Sequence, residues 1–335
     1  MSSVLPSNFD PDAEPTADGI YGLPTAPGEA ALVLMPVPWE ATVSFRGGTS
    51  RAPHAIMAAS RQVELFDVEM GRPFEQGIAM LPPNAELERL HEVALTSRES
   101  GEPAQLDQAC ERMAEIVEND TRAYRARGKI VGVIGGEHSV CVGAIKALAH
   151  ECDQLSILQI DAHADLRESY QGLAWSHACT AARILRLVPN TSRLVQVGVR
   201  DVCPAEVERI ASDARIETFF DSGLSASAEG EAALCDVVDA LTECVWVSCD
   251  IDGLDPSLCP NTGTPVPGGL TWRELTGLLR QLVQSGRQVV GFDVCEVSPG
   301  TDDSNEKDSW DAVVGARVIH KLCGWALATR EVARR

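Results

Sequence analysis

Basic residues are scarce in this chain of 335 residues, which has 28 Lys and Arg against 49 Asp and Glu and a formal net charge of −21. Nucleic-acid binding depends on Lys and Arg that neutralise phosphates, so this shortage argues against a nucleic-acid partner. It argues equally against attraction to an anionic membrane surface. A strongly negative protein instead attracts cations, which include metal ions and cationic substrates.

Targeting and membrane signals are also missing. No basic residue precedes Arg46, and the most apolar stretch near the start, residues 30–37, is far shorter than the ~20 residues of a membrane span. We therefore expect neither a targeting peptide nor a transmembrane helix. The 11 cysteines are scattered singly, without a Cys-x-x-Cys pair, which is typical of reduced and mostly buried thiols. Cytoplasmic localisation is the resulting prediction.

Short apolar runs alternate with longer helical patterns along most of the chain. The runs are continuous and rich in β-branched residues, as expected for strands buried on both faces. They cover residues 31–36, 130–134, 155–160, 193–199, 216–220, 245–249 and 288–292. Helices are predicted over 53–63, 111–126, 140–150, 179–187, 229–243, 271–285 and 310–327. This alternation indicates an α/β fold in which helices cover both sides of one parallel sheet.

The domain organisation follows from the start of the chain. Residues 1–29 are rich in Pro, Asp, Ser and Gly and show no periodicity, which predicts an extended N-terminal arm suited to a subunit contact. No linker divides residues 30–335, which we interpret as a single domain. Ser139 and Thr271 precede predicted helices and are expected to be their N-caps.

Acidic and histidine side chains follow four of the predicted strands. They lie in Gly135-Gly136-Glu137-His138-Ser139, in Asp161-Ala162-His163-Ala164-Asp165, in Asp250-Ile251-Asp252, and at Asp293 and Glu296. Ligands of open α/β sheets bind beyond the carboxyl ends of the strands, so these segments are expected to share one site. In extended backbone, residues two apart share a face. Asp161, His163 and Asp165 therefore converge, and Asp250 and Asp252 repeat the pattern.

Two imidazoles and four carboxylates in one place predict a metal centre. The set consists of His138, Asp161, His163, Asp165, Asp250 and Asp252. Such carboxylates would repel one another and take up protons unless a cation lay among them. Six protein ligands are too many for one ion with an open position, but they fit two ions roughly 3.5–4 Å apart that share a bridging water. The donors favour Mn²⁺, with Ni²⁺, Co²⁺ and Fe²⁺ as alternatives.

These motifs resemble the three signatures of the ureohydrolase family, which includes arginase, agmatinase, guanidinobutyrase and formimidoylglutamase. The resemblance rests on the Gly-Gly-Glu-His-Ser and Asp-Ala-His-Ala-Asp motifs and on residues 248–256, and it covers roughly residues 30–325 in the family's order. It implies a three-layer α/β/α fold with a mainly parallel central sheet, and residues 30–335 as one catalytic domain. It also implies two divalent metal ions per subunit, usually Mn²⁺, held by the six residues above, and homo-oligomers that are often trimers or hexamers.

Further positions resemble the family's catalytic and substrate-binding residues. Glu296 matches the acid that pairs with the guanidinium, and His177 matches the histidine that relays protons. Asp165 would pass a proton from the nucleophile to the leaving amine. Thr264 lies in an Asn-Thr-Gly-Thr-Pro stretch that the family places after its third signature. Trp175 is expected to border the pocket and cover a cation, with ordinary core packing as the alternative. The implied reaction is metal-assisted hydrolysis of a guanidino compound to urea and an amine.

Two departures from the arginase pattern bear on the substrate. Arg167 stands where arginases carry an Asn that binds the α-carboxylate, and Cys203 replaces an Asp that contacts the α-amino group. Both favour an agmatinase-like member that converts agmatine to putrescine and urea. The alternatives are free guanidine, an alkylated guanidine or biguanide, or guanidinobutyrate, with Ni²⁺ as the metal. A non-catalytic partner subunit and a single-zinc deacetylase are less favoured, because all six ligands are present.

Overall fold

The computed structural model describes residues 3–15, 17–149, 151–224, 228–300 and 308–332. Within these ranges the strands form one eight-stranded sheet in the order β2-β1-β3-β8-β7-β4-β5-β6. Neighbouring strands are parallel throughout. The strands are β1 Leu32–Val37, β2 Ile78–Met80, β3 Ile130–Gly135, β4 Leu155–Ile160, β5 Thr191–Val199, β6 Ile216–Phe220, β7 Cys244–Asp250 and β8 Gln288–Cys295.

Helices cover both faces of the sheet. The described helices are α1 Ala52–Ala59, α2 Ala85–Glu99, α3 Pro103–Arg125, α4 Cys141–Ala147, α5 Thr180–Leu187, α6 Pro204–Ser212, α7 Ala228–Asp239, α8 Trp272–Gln284 and α9 Trp310–Val332. Side chains of β1 alternate between two cores: Leu32 and Leu34 pack with α1 and α7–α9, whereas Val33 and Met35 pack with α2–α5. The predicted three-layer α/β/α fold is thereby confirmed. Within the described ranges, none of the helices combines the length and the apolarity that crossing a membrane requires.

The elements that sequence patterns did not predict lie at the edges. The strand β2 and the helices α2 and α6 were not expected, and α3 begins at Pro103 rather than at residue 111. Among the described strands, the short β2 pairs with β1 alone and forms one end of the sheet. Proline suits the first turn of a helix, because the amide that it lacks would have no intrahelical partner there.

The two predicted helix caps have opposite outcomes. Thr271 is an N-cap: its hydroxyl accepts from the Glu274 amide at 3.3 Å, and the Glu274 carboxylate accepts from the Thr271 amide at 2.7 Å. The prediction for Ser139 is wrong. That residue lies within the short turn His138–Val140, and its hydroxyl donates to the Glu137 carboxylate at 2.8 Å.

The end of the N-terminal arm packs against this chain's own core. Ile20, Tyr21 and Leu23 are buried. The Tyr21 hydroxyl donates to the Ala316 carbonyl in α9 at 3.0 Å, and its amide donates to the Ser60 hydroxyl at 2.9 Å. These contacts join the arm to the helical layer that contains α1 and α9.

The four central strands of the sheet lead into the motifs singled out above. β3, β8, β7 and β4 are neighbours, although the chain leaves the centre after β4 and returns to it only with β7 and β8. Their carboxyl ends precede His138, Glu296, Asp252 and Asp161 respectively. Because the strands are parallel, these residues reach the same edge of the sheet.

Candidate active site

Two groups of metal-ligating side chains lie side by side at this edge. His138, Asp161 and Asp165 place ligand atoms within 4.8 Å of one another, and so do Asp161, His163 and Asp252. Asp161 belongs to both groups. Asp250 lies beside the first, with its Oδ2 atom 3.6 Å from His138 Nδ1. The fold therefore brings together all six residues that the sequence nominated as ligands.

The hydrogen bonds of His138 show which ring nitrogen faces these groups. Ser248 Oγ lies 2.9 Å from His138 Nε2 and 3.0 Å from Asp293 Oδ2. A carboxylate only accepts, so the Ser248 hydroxyl donates to Asp293 and accepts from His138 Nε2–H. Nδ1 then faces Asp161 and Asp165, whose oxygens are 3.1 and 3.0 Å away, and hydrogen bonds with these carboxylates outweigh burial and raise the pKa of His138. A ring nitrogen that faces two carboxylates carries either a proton or a metal ion, so this donor set fits a metal ion that replaces the proton.

Burial and mutual repulsion raise the pKa values of two of the carboxyl groups in these ligand groups. Burial, followed by the charge of Asp161, raises the pKa of Asp165 to about 7. Burial and neighbouring aspartates raise the pKa of Asp250 well above its usual value. Burial also acts on Asp161, but hydrogen bonds with His138 and His163 outweigh it and hold the pKa of that carboxyl below its usual range. Mutual repulsion of this kind is relieved by a bound cation.

A buried chain of amides orients the shared ligand. Gln159 Nε2 donates to Asp161 Oδ2 at 2.7 Å, and Gln196 Nε2 donates to Gln159 Oε1 at 2.9 Å. Thr218 Oγ1 in turn donates to Gln196 Oε1 at 2.9 Å. Gln159, Gln196 and Thr218 are register partners on β4, β5 and β6, so the pairing of the strands itself positions the Asp161 carboxylate.

Both ligand groups border a cavity of about 300 Å³. We call five of the lining residues the floor: His163, Asp165, His177, Asp250 and Glu296. Its rim consists of the more exposed or loop-borne residues Phe45, Arg167, Tyr170, Asp201 and Val266. Ala178, Glu206, Thr264 and Pro265 complete the lining. The floor is therefore ionisable, whereas the rim mixes aromatic, aliphatic and charged side chains.

Glu296 reaches the floor from a strained backbone position after β8. Its φ angle is 61°, a conformation that costs a residue with a side chain roughly 1–2 kcal/mol. The Glu296 amide donates to the Gly136 carbonyl at 2.7 Å, and its carbonyl accepts from Thr262 Oγ1 at 2.8 Å. The carboxylate accepts from the His138 amide at 2.9 Å. Burial and the charge of Glu137 raise its pKa, so a cationic group in the cavity would stabilise the ionised form.

His177 is held by a loop that the sequence patterns did not implicate. Its Nδ1 lies 3.2 Å from Thr42 Oγ1, and its Nε2 lies 3.3 Å from Ser44 Oγ. Burial and the positive charge of His163 lower the pKa of His177 to about 4. The ring is therefore neutral at pH 7. Thr42 and Ser44 lie too far from His177 in the sequence for any local spacing to have predicted these contacts.

Of the two remaining candidates, the fold brings one to the cavity. Thr264 lines it and donates from Oγ1 to Asp252 Oδ2 at 3.2 Å. Trp175 is absent from the described lining and is 9% exposed. The cation over its ring is the protein's own Arg183, with Cζ 5.3 Å from the ring centroid. Core packing, the alternative stated for Trp175, describes its position in this structure.

The fold and the site together define a class of protein. A parallel α/β/α sheet that ends in two carboxylate–imidazole groups with a shared aspartate is typical of a metal-dependent hydrolase. The family model for the Arginase family matches residues 30–324. The chain therefore belongs to the arginase family, whose members are binuclear metal enzymes.

Curated relatives and a solved structure place the chain among agmatinase-like ureohydrolases. An N(1)-aminopropylagmatine ureohydrolase of Thermus thermophilus is 36% identical over 306 residues, which cover 91% of this chain and 94% of the relative. The enzyme of the same name from Synechocystis is 32% identical over 280 residues, with 82% and 84% covered. The agmatine ureohydrolase of Thermoplasma volcanium has a TM-score of 0.72 at 26% identity and covers 95% of this chain and 96% of that one. The chain is thus a hydrolase of C–N bonds in linear amidines.

Proposed function

We propose that this chain hydrolyses agmatine, or a guanidinoalkylamine such as N(1)-aminopropylagmatine, to urea and an amine. The observation that carries the proposal is the meeting of two metal-ligand groups with Glu296 in one cavity. The names of the relatives described above support this choice of substrates. The residues at the two positions that arginases use for the amino-acid head support it too, because they are Arg167 and Cys203.

We further propose that two divalent cations occupy the ligand groups. The ligands would be His138, Asp161, Asp165 and Asp250 on one side, and Asp161, His163 and Asp252 on the other. The four carboxylates favour Mn²⁺, and the two imidazoles make Ni²⁺ the second candidate. When bound, such cations supply Lewis acidity that lowers the pKa of an active-site water.

Glu296 would bind the substrate. Its carboxylate faces the cavity and accepts hydrogen bonds, and a planar guanidinium offers two parallel N–H donors to such a group. The bond from the His138 amide fixes the carboxylate, so the guanidinium carbon is held over the floor in one orientation.

Proton movement would involve Asp165 and His177. Asp165 lines the cavity within the first ligand group, which places its carboxylate to hold a proton from the attacking water and release it to the leaving amine. His177 lies at the same floor, where its ring would relay protons to solvent although its lowered pKa makes it a weak base at pH 7. Thr264 acts indirectly, because its hydroxyl orients the Asp252 carboxylate.

The working form that we propose is a cytoplasmic homo-oligomer of three or six subunits. Each subunit would contain one catalytic domain, residues 30–335, preceded by the arm of residues 1–29. The cysteines support a reducing compartment, since all 11 are free and most are buried. Light scattering after size exclusion measures the subunit number directly.

Urea release from a substrate panel tests the proposal. Metal-depleted protein is reloaded with Mn²⁺ or Ni²⁺ and given agmatine, N(1)-aminopropylagmatine, guanidinobutyrate, free guanidine and arginine. We expect one of the first two to give the highest kcat/KM with Mn²⁺. Preference for free guanidine or guanidinobutyrate would replace the proposed substrate, and no urea from any of them despite bound metal would refute the activity.

A further inference from the structure

The rim of the cavity contains an aromatic ring, that of Phe45, which is largely exposed although the Arg46 guanidinium lies over it, with Cζ 5.3 Å from the ring centroid. Phe45 is 72% exposed, although it lines the same cavity as Glu296 and the ligand groups. Single exposed apolar side chains are common on protein surfaces and need no explanation by themselves. This ring differs from the other exposed apolar side chains because it lies beside buried, ionisable groups.

The backbone on both sides of Phe45 is anchored. The Thr42 amide donates to the Glu137 carboxylate at 2.7 Å, and the Arg46 amide donates to the Gly263 carbonyl at 3.3 Å. Glu137 is itself fully buried, so the first anchor belongs to the protein interior. The ring is therefore presented at a defined place on the rim rather than by a loose loop.

The chemistry along the cavity changes between floor and rim. A guanidinium needs hydrogen-bond acceptors, which Glu296 and the other floor residues provide. Methylene groups need apolar surface, and the apolar lining consists of Phe45, Pro265 and Val266 with Ala178. A substrate that places its guanidinium at Glu296 must extend any alkyl tail past this apolar surface to reach solvent.

We propose that Phe45 is a specificity-determining residue that packs against the methylene stem of the substrate. The protein would thereby select guanidines with an alkyl tail over free guanidine. This inference rests on the proposed function and names the part of the substrate that the rim recognises. The contact is apolar, so its contribution grows with the number of methylene groups in the tail.

A chain-length series tests the contact in the full-length, metal-loaded protein. Urea release is measured with guanidine, methylguanidine, propylguanidine and agmatine for wild type, Phe45→Ala, Phe45→Leu and Phe66→Ala. Phe66 is a matched control, because it is 61% exposed but lies outside the described lining. For Phe45→Ala we expect kcat/KM on the two longer substrates to fall about tenfold, mainly through KM, with less than a twofold change for the two shorter ones. Phe45→Leu should recover part of the loss, and Phe66→Ala should match wild type.

Two results would overturn the proposal. The first is an equal loss on all four substrates, which would make Phe45 a support of the loop rather than a contact of the tail. The second is dissociation of the oligomer in Phe45→Ala alone, measured by light scattering, which would place the ring in a subunit interface.

Calorimetry separates this inference from the proposed function. Binding of propylguanidine to the metal-loaded protein should weaken about tenfold in Phe45→Ala and not in Phe66→Ala. If wild type releases no urea from any guanidine, the proposed function fails, and the calorimetric comparison still decides whether Phe45 contacts the tail. An unchanged Kd in Phe45→Ala would refute the contact even in an active enzyme.

Discussion

The floor and the rim of the cavity are built in different ways. Floor residues such as Asp165 and Glu296 follow the ends of central strands and are 5% and 4% exposed. Rim residues such as Phe45 and Asp201 lie in loops and are exposed. Strand ends in a packed sheet have little freedom to move, whereas loops vary without loss of the fold. We infer that the residues at the strand ends determine which bond is cleaved. The loop residues determine which molecules with that bond are accepted as substrates.

Loss of the shared ligand should have the largest effect. Asp161 belongs to both ligand groups, so Asp161→Asn removes one carboxylate from each. We expect wild type to bind two metal ions per chain, and the variant to lose both and to release urea only at background level. Asp252→Asn should also abolish activity, through the second group.

Metal content by elemental analysis is the measurement for this prediction. Asp255→Asn is a suitable control, because Asp255 lies within the third signature but its carboxylate accepts from the Ser257 amide at 2.8 Å, outside the described lining. Full activity in wild type with one metal ion or none would contradict a two-metal floor.

The metal-ligand residues of the site could be predicted because short sequence motifs identify them. The ends of parallel strands deliver the ligands to the same edge, although Asp161, His163 and Asp165 lie beyond β4, which ends at Ile160, and Asp165 has a φ of 52° in place of the expected strand alternation. The amide chain behind Asp161 was not predicted. Gln159 and Gln196 become neighbours only through the register of β4 and β5, which a single sequence does not display.

Apart from Arg167, which the family resemblance singled out, the rim and its supporting loop were not predictable for the same reason. Thr42 contacts His177 across 135 residues, through tertiary folding alone. Trp175 illustrates the converse, because closeness to His177 in sequence did not bring it to the cavity. Its ring faces the core, where Arg183 of α5 covers it. Local spacing predicts side chains on regular strands and fails for loops that fold back on them.

Replacing the Glu296 carboxylate with a neutral amide should impair substrate binding and turnover without loss of the metal ions. Glu296→Gln is nearly isosteric but removes the charge and one acceptor. A hydrogen bond to a charged group contributes roughly 1.5–3 kcal/mol, and misorientation of the guanidinium adds to the loss. We therefore expect kcat/KM on agmatine to fall at least about a hundredfold, with the metal content of wild type.

The alternative for Glu296 is a purely structural role. Its backbone is strained and its carboxylate accepts from the His138 amide, so the substitution also tests the loop. A lower Tm with normal kinetics in the surviving folded fraction would remove Glu296 from the substrate site.

Replacement of His177 should lower the rate of urea release without changing the shape of its pH profile. Its pKa is lowered to about 4 by burial and by His163, so the ring gains a proton only as the pH falls towards 4. Between pH 5 and 9 its charge is constant, and limbs of the rate profile in that range belong to other groups. His177→Asn should lower kcat about a hundredfold and leave those limbs in place. Urea release across this pH range is the measurement.

A second buried histidine provides the control for His177. Burial also lowers the pKa of His320 to about 4, but this ring packs against Tyr21, 5.2 Å between centroids, outside the cavity. We expect His320→Gln to lower Tm and to keep a normal kcat in the folded protein. A limb above pH 5 that disappears in His177→Asn would show that the histidine titrates there, against its burial.

The rim should produce the smallest effect, a difference between two substrates that share the guanidinium. Arg167 is already engaged, with Cζ 5.0 Å from the Tyr170 ring centroid and Nε 3.9 Å from Glu206 Oε2. Its rim neighbour Asp201 suits the ammonium of agmatine, whereas the α-carboxylate of arginine would add a second negative charge beside it. We expect kcat/KM for arginine to be at least about tenfold below that for agmatine, because a polar head that is imperfectly paired loses binding energy.

Arg167→Asn then tests whether the loops alone set this preference. The substitution introduces the residue type that arginases carry at this position, and it leaves every floor residue in place. If the rim selects the substrate, the ratio of kcat/KM for agmatine and arginine moves towards one while the metal content is unchanged. A uniform fall for both substrates would mean that Arg167 supports the floor through its contacts with Glu206 and Tyr170. A wild-type kcat/KM for arginine equal to that for agmatine would show that the rim does not discriminate between the two head groups.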